Sequence, residues 1–176
     1  AQAQCNLGLC YEKGLGIEKD PKQAVEWYRK SAGQGHAYAQ NNLGWYYESG
    51  CGGSVNKDYK QAEKWYREAA AQNHKSALYS LGRMCEDGLL EQEDSQEASA
   101  WFDKAMKHGM THEKFFKVAL KVAEEQEEND TAQYYVGKCY AQGRGVDQDI
   151  EASRQWLGKS AARGNALAQA ALLPQD

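Results

Sequence analysis

Long apolar runs are missing from this chain. No run of about 18 apolar residues occurs, so no stretch reads as a membrane-spanning helix. Proline is nearly absent, with only Pro21 and Pro174, and strand-like alternation is scarce, so helix dominates. An excess of basic charge is missing too. The chain holds 21 Lys and Arg against 25 Asp and Glu, a formal net charge of -4, which argues against a nucleic-acid binder or a membrane-surface protein. No signal peptide is visible. The chain opens without Met and already inside a repeated unit, as a fragment would, so that absence carries little weight. The five cysteines, Cys5, Cys10, Cys51, Cys85 and Cys139, are odd in number and form no C-x-x-C pair. Cys10 and Cys139 share one position of the repeated unit and Cys85 lies one later, unlike a disulfide-stapled array. They read as buried reduced thiols, favouring a reducing, cytoplasmic compartment. No P-loop, no G-x-G-x-x-G and no credible catalytic triad occurs.

What is there is a repeat. The stretch Asp20-Pro21-Lys22-Gln23-Ala24-Val25-Glu26-Trp27 returns from Asp58 to Trp65, from Asp94 to Trp101 and from Asp149 to Trp156. Each copy sets an Asp seven residues before a Trp. A unit copied at a fixed period is the signature of a solenoid.

Each unit contains two helices. The first, helix A, carries Ala3, Leu7, Gly8, Tyr11 and Gly14, then Ala39, Leu43, Gly44, Tyr47 and Gly50. The later copies give Ala77, Leu81, Gly82, Cys85 and Gly88, and Ala132, Val136, Gly137, Tyr140 and Gly143. This spacing puts Ala, Leu and Tyr on one helical face. A mid-helix Gly costs about 1 kcal/mol against Ala, so its recurrence predicts the close approach of a neighbouring helix backbone. Gly14 closes helix A as a left-handed cap, and Ile17 and Val146 are expected to tuck under the loop that follows. The Asp of each copy caps helix B, with Pro21 at a position where no N–H is lost. Gln23, Gln61 and Glu97 predict a capping box in three copies, and Ala152 a weaker start in the fourth. Helix B ends at Gly35, Asn73, Gly109 or Gly164. Its Trp27, Trp65, Trp101 and Trp156 read as core pegs.

Two departures interrupt the period. The A–B loop of the second unit, Cys51-Gly52-Gly53-Ser54, runs two residues over the norm. After the third unit comes an extra amphipathic helix, about 111–128, with Phe115, Phe116, Ala119, Leu120, Val122 and Ala123 on its apolar side. Filling core with Phe115 and Phe116 and offering a second interaction surface are the two readings of it. Its acidic end, Glu124 to Glu128, reads as a solvated helix terminus. The stretch from Asn165 to Leu172 aligns with His36 to Leu43 as a lone, capping A helix, about 165–173.

The pattern of Leu43, Gly44, Tyr47 and Gly50, with Gly14 to Ile17, Asp20, Ala24, Trp27 and Ala32, resembles the Sel-1-like repeat, a relative of the tetratricopeptide repeat. The match covers nearly the whole chain as one domain, in repeats of about 1–35, 36–73, 74–109 and 130–164. The resemblance implies an all-α fold: a right-handed superhelix, or solenoid, of four antiparallel helix pairs with A helices on the concave side. It also implies a non-catalytic adaptor, scaffold or inhibitor, of the immunity type in some bacteria, that binds another protein or peptide.

Trp45 is not required by the period. Tyr38, Asn42, Trp45 and Tyr46 form one stripe of helix A, and exposed Trp and Tyr are frequent binding hot spots. Partner binding and packing on a neighbouring A helix are the two readings of Trp45. Matching positions elsewhere include Arg83 and Met84, then Tyr135 and Lys138, which would complete a mixed groove for a peptide or partner helix. No catalytic, cofactor or metal site is expected. His36 and His74 share a turn position, and Gly109 separates His108 from His112, leaving no third ligand. Ser54-Val55-Asn56-Lys57 matches the S-x-x-K of penicillin-binding enzymes, and disulfide-rich members of the resembling family have been linked to β-lactam binding. That chemistry needs the Ser at a helix start, whereas Ser54 falls in a Gly-rich loop. A hydrolase or metal enzyme near Ser54 and Lys57 or the histidines is the alternative reading. It would require a closed pocket with converging polar groups.

Overall fold

The computed structural model describes residues 1–50, 53–90 and 95–173. Asp94, Cys51, Gly52 and Pro174, each given a role above, lie outside these residues. Among the described residues there are ten helices and no strand. They fall into two compact units, divided between Met110 and Thr111.

The first unit holds three helix pairs. These are α1 (Gln2–Lys13) with α2 (Pro21–Ala32), α3 (Ala37–Ser49) with α4 (Tyr59–Ala71), and α5 (Lys75–Glu86) with α6 (Ser95–Lys107). The second holds α7 (His112–Glu125), then the pair α8 (Asp130–Gln142) and α9 (Ile150–Ala162), then α10 (Ala166–Ala171). Within a pair the helices run antiparallel. Ser31 near the end of α2 donates to the Ala1 carbonyl ahead of α1 (2.8 Å), and Ser160 of α9 repeats the bond to Asp130 (2.6 Å). At the other end the capping Asp closes the hairpin.

That cap differs from a capping box in one respect. The carboxylates of Asp20, Asp58 and Asp149 accept from the N–H groups of Gln23, Gln61 and Ala152 at 3.1, 3.0 and 2.9 Å. The fourth start is therefore capped like the others, despite Ala152. The reciprocal half is taken up elsewhere. Asp20, Asp58 and Asp149 donate their own N–H to the carbonyls of Tyr11, Tyr47 and Tyr140, at 2.9, 2.8 and 3.1 Å. The donor that Gln23 or Gln61 would claim is already used to clasp helix B to helix A.

The recurring glycines of helix A meet a side chain of helix B, and at two of them its backbone too: a Cβ would lie 3.3 Å from the Ala24 carbonyl oxygen at Gly8 and 3.1 Å from the Leu157 nitrogen at Gly137, as the close helix approach predicts. A Cβ on Gly8 would lie 2.9 Å from the Tyr28 ring, and on Gly44 2.7 Å from Tyr66. On Gly82 it would lie 2.8 Å from Phe102, and on Gly137 2.8 Å from Leu157. The real core peg of helix B is thus the residue after the tryptophan. Tyr28, Tyr66, Phe102 and Leu157 are buried, whereas Trp27, Trp65, Trp101 and Trp156 are only half-buried. The expectation of four tryptophan pegs was displaced by one residue, about 100° round the helix. The tryptophans instead flank the core with a cation over each face. Lys30 lies 4.2 Å from the Trp27 ring and Lys159 4.3 Å from Trp156.

Ile17 does not tuck under its loop. It is 37% exposed, while Val146 is half-buried. The glycines and asparagine proposed to end the helices do adopt positive φ, with Gly14, Gly50, Gly88 and Gly143 after helix A, and Gly35, Asn73, Gly109 and Gly164 after helix B. In the second unit α7 packs on α8 as a preceding helix B would, just as α2 packs on α3. Phe116 is buried edge-on to Tyr140 (5.3 Å), and Phe115 stands edge-on to Tyr135 (6.0 Å).

Candidate partner-binding face

The A-helix stripe divides into residues that reach water and residues that do not. On α3, Tyr38 is 45% exposed, and its ring stands edge-on to His74 at 6.0 Å. Asn42 and Trp45 follow at helical spacings of four and three and are half-buried. Trp45 also accepts, through its carbonyl, the Ser49 hydroxyl at 2.7 Å. Asn42 accepts the Asn41 side-chain amide at 3.4 Å. These three residues share one stripe of α3.

The other residues expected on that face are turned inward. Tyr46 is buried, tilted against the Tyr28 ring at 6.1 Å, because it supplies the bulk that α3 lays on α2. Met84, at the same position one repeat later, is fully buried. Tyr135 is buried against Tyr134, centroids 5.0 Å apart. Lys138 stays half-buried, its ammonium 6.0 Å from the Tyr134 ring.

Arg83 is the largest departure from a solvent-facing groove. Its guanidinium forks onto Glu48, Nη1 to Oε1 at 3.0 Å and Nη2 to Oε2 at 3.3 Å, and Nη2 also donates to Ser80 Oγ at 3.0 Å. The Tyr66 hydroxyl donates to the same carboxylate at 2.7 Å. The side chains of Arg83 and Glu48 are 5% and 0% exposed. Burial and the neighbouring Glu48 charge push the Tyr66 phenol well above its ordinary range. This buried charge pair links α3 to α5 and does not face a partner. Glu48 went unread in the sequence. Its signal was there: Glu12, Glu48 and Glu86 follow the last core residue of helix A, and Ala141 replaces them where helix B carries Leu157 in place of a tyrosine.

The candidates for chemistry are placed apart. His36 and His74 sit at the starts of α3 and α5, where His36 Nδ1 accepts the Ala39 N–H at 3.3 Å. Burial, then the charges of Lys75 and His36, hold the His74 imidazole below its ordinary pKa. Ser54 lies in a bend ahead of α4, not at a helix start, so the S-x-x-K match lacks the geometry its chemistry needs. Among the described residues no three His, Cys, Asp or Glu side chains gather as metal ligands. Cys5, Cys85 and Cys139 are buried free thiols and Cys10 is half-buried. No described helix is long and apolar enough to cross a membrane.

Stacked antiparallel helix pairs, glycine-notched and clasped by a capping Asp, place this chain among the α-solenoid repeat proteins. The Sel1 repeat family profile matches residues 1–36, 37–74, 75–110 and 130–165, and the chain belongs to that family. The crystal structure of a Sel1 repeat protein from Oxalobacter formigenes is 33% identical, with a TM-score of 0.59 over 97% of this chain and 74% of that one. Protein c5321, described as a protective antigen present in uropathogenic Escherichia coli strains and displaying an SLR fold, is 30% identical, with a TM-score of 0.59. That match covers 96% of this chain and 39% of c5321. Chitin synthase regulatory factor 3 of Schizosaccharomyces pombe is 35% identical over 72% of this chain, which spans only 13% of that protein. Sel1 repeats generally mediate protein–protein interactions and are typically non-catalytic.

Proposed function

We propose that this chain is a non-catalytic module, of adaptor, scaffold or inhibitor type, that grips a partner protein or peptide on the exposed stripe of α3. Trp45 carries the reading. It is a large aromatic that the repeat does not need, half-open to water on the same stripe as exposed Tyr38 and half-buried Asn42. Aromatic anchors of this kind dominate protein interfaces. The acidic balance of 25 against 21 favours a protein over a nucleic acid as the occupant.

The test compares intact protein with Trp45→Ala and Tyr38→Ala in partner capture and in thermal melting. Both variants should keep the wild-type transition within a few degrees and lose most of the capture. A Trp45→Ala protein that melts early yet captures normally would return Trp45 to the packing role and refute the proposal.

A further inference from the structure

A glutamine follows the first alanine of helix A in three of the pairs, and in two of them a second glutamine closes over it. Gln34, just past α2, donates its side-chain amide to Gln4 Oε1. Gln72, just past α4, donates to Gln40 Oε1 at 2.8 Å and to the Gly35 carbonyl at 2.9 Å, so it bridges from α4 to the turn after α2. The matching residue of α8 is Gln133, which is 3% exposed. Its Nε2 donates to the Glu127 carbonyl at 2.6 Å, which orients the amide. Its Oε1 is buried and, among the described residues, accepts no hydrogen bond. The place of Gln34 and Gln72, seven residues after the tryptophan, is held by Arg163, which is exposed.

Where Gln72 bridges in the first unit, the second has a cleft of about 700 Å³. Glu124 and Glu127 line it from the end of α7 and the turn beyond, Gln133 from α8, and Trp156, Lys159 and Arg163 from α9 and its cap. The four charged side chains are exposed, and among the described residues they form no salt bridge. The α7 side thus offers two carboxylates and the α9 side two cations, with a half-buried tryptophan and an unused buried acceptor in the same lining. An anion alone is repelled by the first side and a cation alone by the second. A small molecule that carries both charges suits each. Its ammonium, with three donors, also answers a carbonyl oxygen that has no partner.

We infer that this cleft binds a small zwitterion: an ammonium and a carboxylate on one molecule with an apolar side chain, as in a free amino acid or a dipeptide. The ammonium donates to Gln133 Oε1 and faces Glu127, whose carbonyl already holds the Gln133 amide. The carboxylate takes Arg163 and Lys159. The apolar side chain lies along Trp156. The site is separate from the Trp45 stripe and does not rest on it. It assigns no chemistry, since the ligand is bound and released unchanged.

The probes are L-phenylalanine and the dipeptide phenylalanyl-glycine, each titrated to about 10 mM into the intact, ¹⁵N-labelled protein. Saturable shifts should appear at the Gln133 side-chain amide, the Trp156 indole N–H and the Arg163 backbone amide. The tighter of the two probes names the source. N-acetylphenylalanine lacks the ammonium and phenylalaninamide lacks the carboxylate, and each should bind roughly tenfold more weakly. Arg163→Gln restores the residue that bridges the first unit. It should lose binding by a similar factor while melting no earlier than wild type. Glu127→Gln should also weaken binding, with wild-type helicity by circular dichroism. No saturable shift with either probe, equal shifts with the two blocked analogues, or full binding by Arg163→Gln would each overturn the inference. So would an Arg163 guanidinium hydrogen-bonded to Gln133 in the ligand-free protein, since the chain would then close the cleft by itself.

Discussion

In the second helix pair, Tyr66 sits over Gly44 and donates its hydroxyl to Glu48, which Arg83 of the next repeat neutralises. In the fourth, Leu157 sits over Gly137, and Ala141 stands where the carboxylate would be. The notch in helix A is the same in both. What differs is the polar tip of the peg. A buried phenol needs an acceptor, a buried carboxylate acceptor needs a cation, and the cation has to come from a neighbouring repeat. One oxygen atom on the peg therefore draws α3, α4 and α5 into a single charged network. The first pair has the same phenol, with Tyr28 donating to Glu12 at 2.7 Å, but there Lys13 reaches the carboxylate from solvent at 2.9 Å. The fourth pair needs none of this.

The comparison can be broken most severely at the cation. Arg83→Met leaves Glu48 buried without its partner and should cost about 3–5 kcal/mol in urea unfolding. The triple variant Glu48→Ala, Tyr66→Leu, Arg83→Met rewrites the second pair in the chemistry of the fourth. It should unfold within about 1 kcal/mol of wild type or later, since apolar replacement of a buried pair is often neutral or stabilising. A triple variant as weak as the single one would show that the network is needed for packing and not only for charge balance.

The shared notch is the next target. Gly44→Ala should lose about 1–3 kcal/mol, because the Tyr66 ring has no room to retreat and the crowding outweighs the helical gain of about 1 kcal/mol. Gly158→Ala, on α9 with open space around its Cβ site, should gain up to about 1 kcal/mol. The pair of melting curves isolates the ring contact from helix propensity.

Alkaline titration gives a gentler contrast. Tyr66 and Tyr28 both have raised phenol pKa values in the folded chain. Their contribution is complete below the unfolded value near 10.0 and is lost as pH rises beyond it, because only the unfolded chain then releases the protons. Stability should fall above pH 10.0, and Tyr66→Phe should flatten that fall. The smallest effect belongs to His74, whose depressed pKa contributes stability above 6.5 that fades as pH drops below it. His74→Gln should remove that slope without changing melting at neutral pH.

The helix pairs, their caps and their ends were legible because each rests on local chemistry: an Asp before a helix, a glycine at positive φ, an Ala–Leu–Tyr face. Which of two adjacent large residues points inward was not. Trp27 and Tyr28 both lie near the apolar arc of α2, and only the notch at Gly8 decides between them. Tyr134 and Tyr135 posed the same ambiguity on α8. Arg83 was read as a groove cation because Glu48 lies 35 residues away, and no spacing rule links them. Of the candidate face, Tyr38, Asn42 and Trp45 could be read from the stripe itself. Tyr46 could not, since its burial depends on Tyr28 in the preceding pair.

The bond from each capping Asp to the tyrosine carbonyl of helix A has one more implication. Tyr11 to Asp20 and Tyr140 to Asp149 are nine residues apart, whereas Tyr47 to Asp58 is eleven, yet all three bonds close at 2.8 to 3.1 Å. The hairpin is latched at the base, so the stretch beyond the latch can change in length while both helices keep their register. Such loops are natural sites for grafting new sequence: cargo inserted at exposed Gly53, ahead of Val55, which packs on the core, should leave the melting of the repeat stack untouched.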